Sequence, residues 1–178
     1  SKGEGLGNQF LSHIREVDAI VHVLRCFEDG DVTHVEGRID PIADAETIDT
    51  ELMLADLDSL EKRIVPLEKK AKGGDKEAIA LAALMTKALV LLREGRAARE
   101  AKLDPEEAAP FSQLGLITSK PVLYVCNVDE ASAATGNAFS ARVEEMAKAQ
   151  GAECVVLSAT IESEIAVLPF EERGDYLE

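Results

Sequence analysis

The sequence predicts an α/β fold in which a parallel sheet is interrupted by an inserted helical hairpin. Apolar runs rich in β-branched residues occur near both ends of the chain, at 19–26, 122–126 and 154–157. Such runs are typical of buried strands, and a run without alternation favours a strand covered on both faces. Between the first two runs, the apolar residues change to a helical period over residues 44–94. The glycine pair Gly73-Gly74 divides that stretch into two helices.

The composition narrows the class of protein. The chain has 178 residues, of which 46% are hydrophobic and 30% charged, as expected for a folded globular protein rather than a disordered tail. Its formal net charge is -15, which disfavours DNA and anionic membranes as partners. It has no Trp, and no segment approaches the ~18 apolar residues of a membrane span.

The cysteines do not suggest a metal site. Cys26, Cys126 and Cys154 each fall in an apolar run and lack metal-ligand spacing, so we expect buried thiols. An odd number of cysteines without a signal peptide favours a reducing compartment and hence the cytoplasm. No metal site is predicted within these residues.

The first part of the chain reads as a helix followed by a strand. Asn8 is the predicted N-cap of a helix that ends near Val17, and the strand spans Ala19 to Cys26. His22 in this strand is either a ligand or a core histidine, and the apolar surroundings favour the core. Residues 27–41 are predicted to form a loop.

The predicted hairpin consists of helices from Asp44 to Lys72 and from Asp75 to about Glu94. Asp75 is the predicted cap of the second helix, and Gly95 lies just beyond its end. Pro66 should kink or break the first helix because proline lacks a backbone donor and clashes with the preceding turn. A short turn between two helices with matching seams predicts an antiparallel coiled coil. The seams have apolar residues at intervals of three and four, namely Leu57, Leu60, Ile64, Leu67 and Ala71, and then Leu81, Leu84, Ala88 and Leu91.

The α/β pattern then returns, and an insertion inside one sheet domain explains the order of elements better than three independent units. The chain thus divides into a first sheet-domain segment, 1–43, an inserted helical domain, 44–117, and a second sheet-domain segment, 118–178. The predicted later elements are a short helix opening at Asp104-Pro105, strand 122–126, helix 138–150, strand 154–157, a turn at 158–160, and two helical pieces within 162–178 split at Pro169.

Two polar loops follow neighbouring predicted strands. Asn127-Val128-Asp129-Glu130 follows the second strand, and Ser158-Ala159-Thr160 follows the third. Ligands of open α/β sheets bind at the carboxyl ends of strands. The first loop resembles the Asn-Lys-x-Asp base-recognition loop of P-loop GTPases, with Val in place of Lys and Glu in place of Asp. Because the longer carboxylate would not keep the bidentate geometry, guanine specificity should be lost. Either loop alone is a weak signal that an ordinary strand-end turn would also explain.

A further segment makes the resemblance specific. The run from Ser1 to Leu11, with Gly3, Gly5, Gly7 and Asn8, closely resembles the YchF / Obg-like ATPase family, and the resemblance continues through Val23–Asp29, Val32–Val35 and both loops. This family belongs to the translation-factor-related P-loop NTPases. In it, the first segment is the end of switch II. The resemblance covers essentially the whole chain.

The resemblance implies a nucleotide switch linked to translation that hydrolyses ATP in preference to GTP. Carried over by residue, Asn127 and Val128 would contact the adenine and Glu130 would close the loop. Ser158, Ala159 and Thr160 would form the second wall. Because the family carries an apolar residue in place of the catalytic Gln, another group must position the water. His34 is the candidate, since a neutral imidazole can orient or deprotonate water; a surface-loop histidine without a role is the alternative.

The sequence also departs from the family. It contains no Gly-x-x-x-x-Gly-Lys-[Ser/Thr], so the P-loop and the Mg²⁺ ligands are expected upstream, and the C-terminal TGS domain is expected downstream. This central fragment alone is therefore predicted not to hydrolyse ATP.

A second hypothesis is an RNA- or ribosome-binding module that acts through a basic hairpin. Residues 62–102 contain eleven Lys and Arg against five Asp and Glu, and Lys69, Lys70 and Lys72 cluster near the predicted turn. A solvated helix surface with i,i+4 ion pairs explains the same charges. A purely structural helical protein is disfavoured by the paired loops.

Overall fold

A computed structural model describes residues 7–28 and 39–177. In these residues the fold is α/β, with a three-stranded sheet and a helical segment that enters the chain between its first two strands. The strands are β1 (Ile20–Arg25), β2 (Val122–Asn127) and β3 (Glu153–Leu157). The helices are α1 (Asn8–Glu16), α2 (Pro41–Lys72), α3 (Lys76–Arg93), α4 (Pro105–Ser112), α5 (Ala138–Gln150), α6 (Ala159–Val167) and α7 (Arg173–Leu177).

The sheet is parallel and has the order β1-β2-β3. Strands β2 and β3 pair in parallel, from Leu123 opposite Glu153 to Asn127 opposite Leu157. The amide of Ile20 donates to Pro121 O at 2.9 Å, and the amide of Cys26 donates to Asn127 O at 2.8 Å. The residue numbers of both strands increase in the same direction between these two hydrogen bonds, so β1 is also parallel to β2. All three carboxyl ends therefore lie at one edge of the sheet.

The central strand is buried on both faces, as its unbroken apolar run predicts. Tyr124 is 0% exposed and Val125 on the opposite face is 7% exposed. One face packs against α5 through Val143 and Ala147, together with Leu24 and Cys126. The other face is covered less evenly, since Val21 and Val23 of β1 are 60% and 61% exposed.

The helical segment has its own core. The amide of Glu77 and that of Ala78 both donate to Asp75, which caps α3 as predicted. The predicted seams of α2 and α3 meet in this core, where buried side chains of α4 and the following residues join them. Its buried members include Leu60, Ile64, Leu84, Met85, Ala88, Leu89, Phe111 and Leu116.

Asp56 is the buried charged residue that ties α2 to the end of the inserted segment. The side chain is 2% exposed and accepts hydrogen bonds from the amides of Ile117 and Thr118 at 2.9 and 2.8 Å. The Thr118 hydroxyl donates to the same carboxylate at 2.7 Å. Three donors offset part of the free-energy cost of removing the carboxylate from water, and the contact fixes the residues that lead into β2.

Several element boundaries differ from the sequence prediction. Helix α1 begins at Asn8 with Gly7 as its N-cap, so Asn8 is the first helical residue rather than the cap. Helix α2 begins at Pro41, because the Asp40 side chain accepts from the Ala43 amide at 3.1 Å and proline suits a first helical position. The same helix runs unbroken through Pro66. Pro66 is exposed, so water can satisfy the carbonyl that loses its partner.

The predicted turn at 158–160 is instead the start of α6, and this prediction was wrong. Ser158 is the N-cap, and its hydroxyl accepts from the Ile161 amide at 3.4 Å. A Ser directly before a helical segment is a typical N-cap, and Ser158 has this position in the sequence. The predicted division at Pro169 is confirmed, since α6 ends at Val167 and a 3-10 turn precedes α7.

The chain separates into two compact units. One contains Ser1–Ile20 and Glu46–Pro121, and the other contains Val21–Ala45 and Val122–Glu178. The first unit holds the helical core and the second holds most of the sheet. The predicted domain boundaries at 43/44 and 117/118 stay predictions.

Candidate functional site

A cleft lies at the carboxyl edge of the sheet. It has a volume of about 400 Å³ and is lined by residues from the ends of β1 and β2 and from the first turn of α6. Its lining residues are Phe27, Glu28, Asn127, Val128, Asp129, Glu130, Ala131 and Thr160. The structure thus brings the two loops singled out in the sequence to one place, as parallel strands with adjacent carboxyl ends require.

Asn127 joins the two loops directly. Its Oδ1 accepts a hydrogen bond from the Ala159 amide at 2.9 Å, although the two residues are 32 positions apart. This amide is the first of α6 and has no partner within the helix. The bond therefore satisfies a helix terminus and fixes the distance between the loops. Asn127 therefore stabilises the arrangement of the two loops, and its Oδ1 is engaged in this hydrogen bond.

Val128 contributes to the core rather than to the surface of the cleft. Its side chain is 2% exposed and belongs to the apolar cluster beneath the sheet's covered face. Its amide donates to Leu157 O at 2.9 Å, extending the pairing of β2 with β3 by one residue. Any contact of Val128 with a ligand must therefore involve its backbone atoms rather than its side chain.

Ser158 also has a structural role, as the N-cap of α6. Its side chain is 2% exposed, and its hydroxyl caps α6. Of the three residues in the predicted second wall, Thr160 lines the cleft and is exposed, whereas Ala159 uses its amide to bind Asn127. The first turn of α6 thus forms one side of the cleft with Thr160 in front.

The rim of the cleft is acidic. Glu28, Asp129 and Glu130 are exposed carboxylates, and among the described residues that line the cleft none is Lys or Arg. Such a rim repels polyphosphate but accepts hydrogen bonds from amino groups. The negative charge of the rim therefore favours a ligand whose hydrogen-bond donors face these carboxylates.

Phe27 and Glu28 were not predicted as site residues. Phe27 is half-buried, and the Arg25 guanidinium lies over its ring at 5.3 Å from the centroid. The ring adds an apolar, planar surface to the cleft. Both residues directly follow β1, whose carboxyl end lies beside that of β2, so the predicted parallel order contained the signal.

The predicted catalytic and switch residues fall mostly outside this part of the chain. His34, Gly3 and Gly5 lie outside the described residues. Gly7 and Asn8 lie at the start of α1 and do not line the cleft. Lys120 stabilises the C-terminal end of α1, because its ammonium donates to the carbonyls of Arg15 and Val17 at 3.0 and 2.6 Å.

The candidate RNA contacts lie at the tip of the hairpin. Lys69, Lys70 and Lys72 are exposed in the last turn of α2, next to the Gly73-Gly74 turn. Across residues 7–28 and 39–177, no carboxylate forms an ion pair with any of the three, whereas Lys62 pairs with Asp58 at 2.8 Å. Lysines in a last helical turn also complement the helix dipole.

The cysteines form a diagonal row across the three strands. Cys26 and Cys126 are buried, and Cys126 Sγ lies 3.5 Å from Cys154 Sγ. Burial and the contact with Cys126 raise the pKa of Cys154 to about 12, so its thiol stays protonated. Within the described ranges, no group of three or more His, Cys, Asp or Glu side chains could hold a metal ion. His22 packs beside Tyr124, with ring centroids 5.7 Å apart.

Parallel strands, two loops joined at their carboxyl edge and an inserted hairpin match part of a P-loop NTPase fold with a helical insert. The comparisons with known proteins agree. The chain is 49% identical over 178 residues to the ribosome-binding ATPase YchF of Haemophilus influenzae, and 48% identical over 180 residues to that of Bacillus subtilis. Each match covers 100% of the chain and 49% of the relative.

A solved structure supports the same relationship. The YchF GTPase of Schizosaccharomyces pombe matches 98% of this chain and 49% of its own, with a TM-score of 0.83 and 30% sequence identity. No family model matches the chain. The chain belongs to the YchF / Obg-like ATPase family and spans about half the length of the curated relatives that it matches. Among the described helices, none combines the length and apolarity needed to cross a membrane.

Proposed function

We propose that the cleft binds the purine base of a nucleotide, and that the complete protein is an NTP hydrolase that prefers ATP to GTP. Its hydrolysis of ATP to ADP would act as a switch linked to the ribosome in the cytoplasm. The Asn127–Ala159 hydrogen bond carries this proposal, because it holds two loops at a fixed spacing at the edge where α/β sheets bind ligands. The names of the relatives, ribosome-binding ATPases and a GTPase, support the same activity.

The cleft suits the base of ATP. Adenine has a planar face that can stack on Phe27 and an exocyclic amino group that can donate to a carboxylate. Glu130 and Asp129 supply acceptors at the rim. Because Glu130 is exposed and longer than Asp, it does not fix the bidentate geometry that selects guanine. GTP is therefore the weaker alternative ligand.

The cleft does not suit the phosphates. A triphosphate and its Mg²⁺ need Lys, backbone amides and a hydroxyl, whereas the cleft rim carries three carboxylates. We therefore assign phosphate and Mg²⁺ binding to parts of the complete protein outside residues 1–178. On this proposal the chain alone binds nucleosides weakly and does not hydrolyse ATP.

The proposed domain organisation follows from this division. Residues 1–43 and 118–178 would be two parts of the nucleotide-binding domain, with residues 44–117 as the insert. Gly3, Gly5, Gly7 and Asn8 would belong to switch II, and His34 would position the attacking water.

Nucleoside titration of the chain tests the base site. Amide shifts in NMR spectra should appear at residues 127–131 and 159–160 with adenosine, and smaller ones with guanosine. Asn127→Ala should abolish the adenosine shifts while Asp58→Ala, on α2, should leave them unchanged. Equal shifts with both nucleosides would refute base selection, and shifts confined to other residues would refute the site.

The complete protein tests the activity. Calorimetry should show tighter binding of ATP than of GTP, and equal affinities would contradict the proposed preference. His34→Ala should slow turnover with little change in ATP affinity. Unchanged turnover would remove His34 from the mechanism.

RNA binding by the hairpin tip is a second candidate function. The exposed Lys69, Lys70 and Lys72 have ammonium groups available for phosphates. The triple change to Glu should weaken co-sedimentation with ribosomes. It should also reduce the slope of log affinity for RNA against log salt concentration by roughly 0.7 for each single-strand phosphate contact that is lost. The matched change Lys62→Glu, at a lysine already paired with Asp58, should have less effect. Equal ribosome binding by the wild type and the triple variant would exclude this surface.

A further inference from the structure

Helix α3 is apolar on two sides. Its inner side packs in the helical core through Leu84, Ala88 and Leu92. Its outer side carries a second stripe at intervals of four, three and four, formed by Ile79, Ala83, Thr86 and Val90. Ile79 and Val90 are each 50% exposed. The outer face of a surface helix is normally polar, so a second apolar stripe indicates a partner.

Thr86 does not interrupt the stripe. Its hydroxyl donates to Ala82 O within the same helix at 2.8 Å. A threonine hydroxyl has a single O–H donor, so this donor is already used. Thr86 therefore behaves mainly as a methyl-bearing residue at this position.

The C-terminal half of the stripe forms the floor of a groove, which we call the α3 groove. It has a volume of about 570 Å³, with Ala83, Thr86 and Val90 on the floor and residues 100–102 as the facing wall. The wall is fixed in place. Lys87 Nζ binds the Glu107 carboxylate at 2.8 Å and approaches Lys102 O at 3.4 Å. The amide of Ala98, just before the wall, donates to the Thr118 hydroxyl at 3.1 Å.

The rim of the α3 groove is basic. Arg96 and Lys102 line it against the single carboxylate of Glu100, while the third cation, Lys87, is paired with Glu107. Arg96 contacts Glu100 and Glu94 only at 3.5 and 3.7 Å, and no carboxylate of the described residues forms an ion pair with Lys102. The surrounding residues 62–102 have a positive excess of six charges, eleven against five. This field attracts an acidic ligand.

We propose that the α3 groove binds an amphipathic helix of another protein, with an apolar stripe facing Ala83 and Val90 and acidic residues facing Arg96 and Lys102. A helix laid on a helical stripe contacts it through residues spaced i, i+3, i+4 and i+7. The groove is not an RNA site, because no aromatic residue lines it and phosphates gain nothing from an apolar floor. A second copy of the chain would bring the same basic rims together, and like charges repel. This inference is independent of the nucleotide proposal.

A synthetic peptide tests the proposal. The probe is a fluorescein-labelled three-heptad helical peptide with Leu at the a and d positions and Glu at the flanking positions, followed by fluorescence anisotropy. We expect saturable binding to the wild-type chain. Val90→Glu should weaken it about tenfold or more, because a charge then lies in the apolar contact. Absence of saturable binding by the wild type would overturn the proposal.

Matched controls separate the groove from a general surface effect. Val65→Glu, on α2 and outside the groove, changes a residue that is 52% exposed and should leave binding unchanged. Lys102→Glu should weaken the Glu-flanked peptide and strengthen a Lys-flanked version, which a loss of folding cannot produce. Equal losses for Val65→Glu and Val90→Glu, or no change with Lys102→Glu, would refute the site. A Val90→Glu effect on labelled oligouridine but not on the peptide would assign the surface to RNA instead.

Discussion

Replacement of Asp56 tests whether the buried carboxylate holds the end of the inserted segment. In Asp56→Ala, the amides of Ile117 and Thr118 and the Thr118 hydroxyl all lose their acceptor. A buried donor left unsatisfied costs about 1–3 kcal/mol, and the hydroxyl can rotate to another acceptor. We therefore expect the free energy of unfolding to fall by roughly 3–5 kcal/mol. Asp56→Asn keeps one acceptor oxygen and should cost less.

Urea unfolding followed by circular dichroism measures this difference. The control is Asp58→Ala, two residues away on the same helix, whose exposed ion pair with Lys62 should contribute less than about 1 kcal/mol. If Asp56→Ala and Asp58→Ala cost the same, or if Asp56→Ala costs less than about 1 kcal/mol, the proposed role of the three Asp56 hydrogen bonds in holding the end of the segment is refuted.

The same residue predicts a pH dependence. Burial raises the pKa of the Asp56 carboxyl above its ordinary value of 3.8, although hydrogen bonds from Thr118 and Ile117 oppose the shift. Because the folded pKa is the higher one, the stabilising contribution is fully present below about pH 3.8 and is lost as the pH rises through the folded pKa. The stability advantage of the wild type over Asp56→Asn should therefore shrink as the pH rises above this value. An advantage that grows with pH would contradict the sign.

Three further predictions concern local structure. Asn137→Ala removes the acceptor of the Ser140 amide at 3.0 Å and the donor to Cys26 O at 2.7 Å, and should lower the free energy of unfolding by about 1–3 kcal/mol in urea titrations; a smaller loss than 0.5 kcal/mol would contradict the role of this cap. Gly95→Ala places a side chain on a residue in the left-handed region at φ 74°, so it should lower the free energy of unfolding by about 1–2 kcal/mol and lower the thermal midpoint accordingly. Gly174→Ala, within α7, should be neutral or stabilising, and equal effects of the two changes would exclude the backbone explanation. Cys154, with a pKa raised to about 12, should react with iodoacetamide at neutral pH at least a hundredfold more slowly in the native chain than in urea, and comparable rates by mass spectrometry would refute the raised pKa.

Much of the fold was predictable because local patterns and the tertiary structure agree. The seams at intervals of three and four identified α2 and α3, and the unbroken apolar run identified β2 as a strand buried on both faces. Asp75 and Gly95 marked helix ends because caps depend on local backbone geometry. Prediction failed at the starts of α2 and α6, where a capping side chain decided the boundary. The predicted break at Pro66 also failed, because Pro66 is exposed and water can satisfy the freed carbonyl.

The candidate site was predictable in its main residues but not in their roles. The loops at 127–130 and 158–160 follow adjacent strands, so their proximity follows from a parallel sheet. The sequence could not show that Val128 and Ser158 turn inward, because burial depends on what packs beneath them. Phe27 and Glu28 entered the cleft for the complementary reason, since they lie at the end of a neighbouring strand.

The sequence by itself determined the order of elements, the family and the pair of loops at the sheet edge, because periodicity and motifs are properties of neighbouring residues. Only the tertiary structure decided that Asn127 bonds the first amide of α6, that Asp56 receives three donors, and that α3 keeps an exposed apolar stripe. These contacts join residues 32 to 62 positions apart, or depend on which helix face remains uncovered. Such relations arise only when the chain is folded, since no local pattern specifies the distant partner.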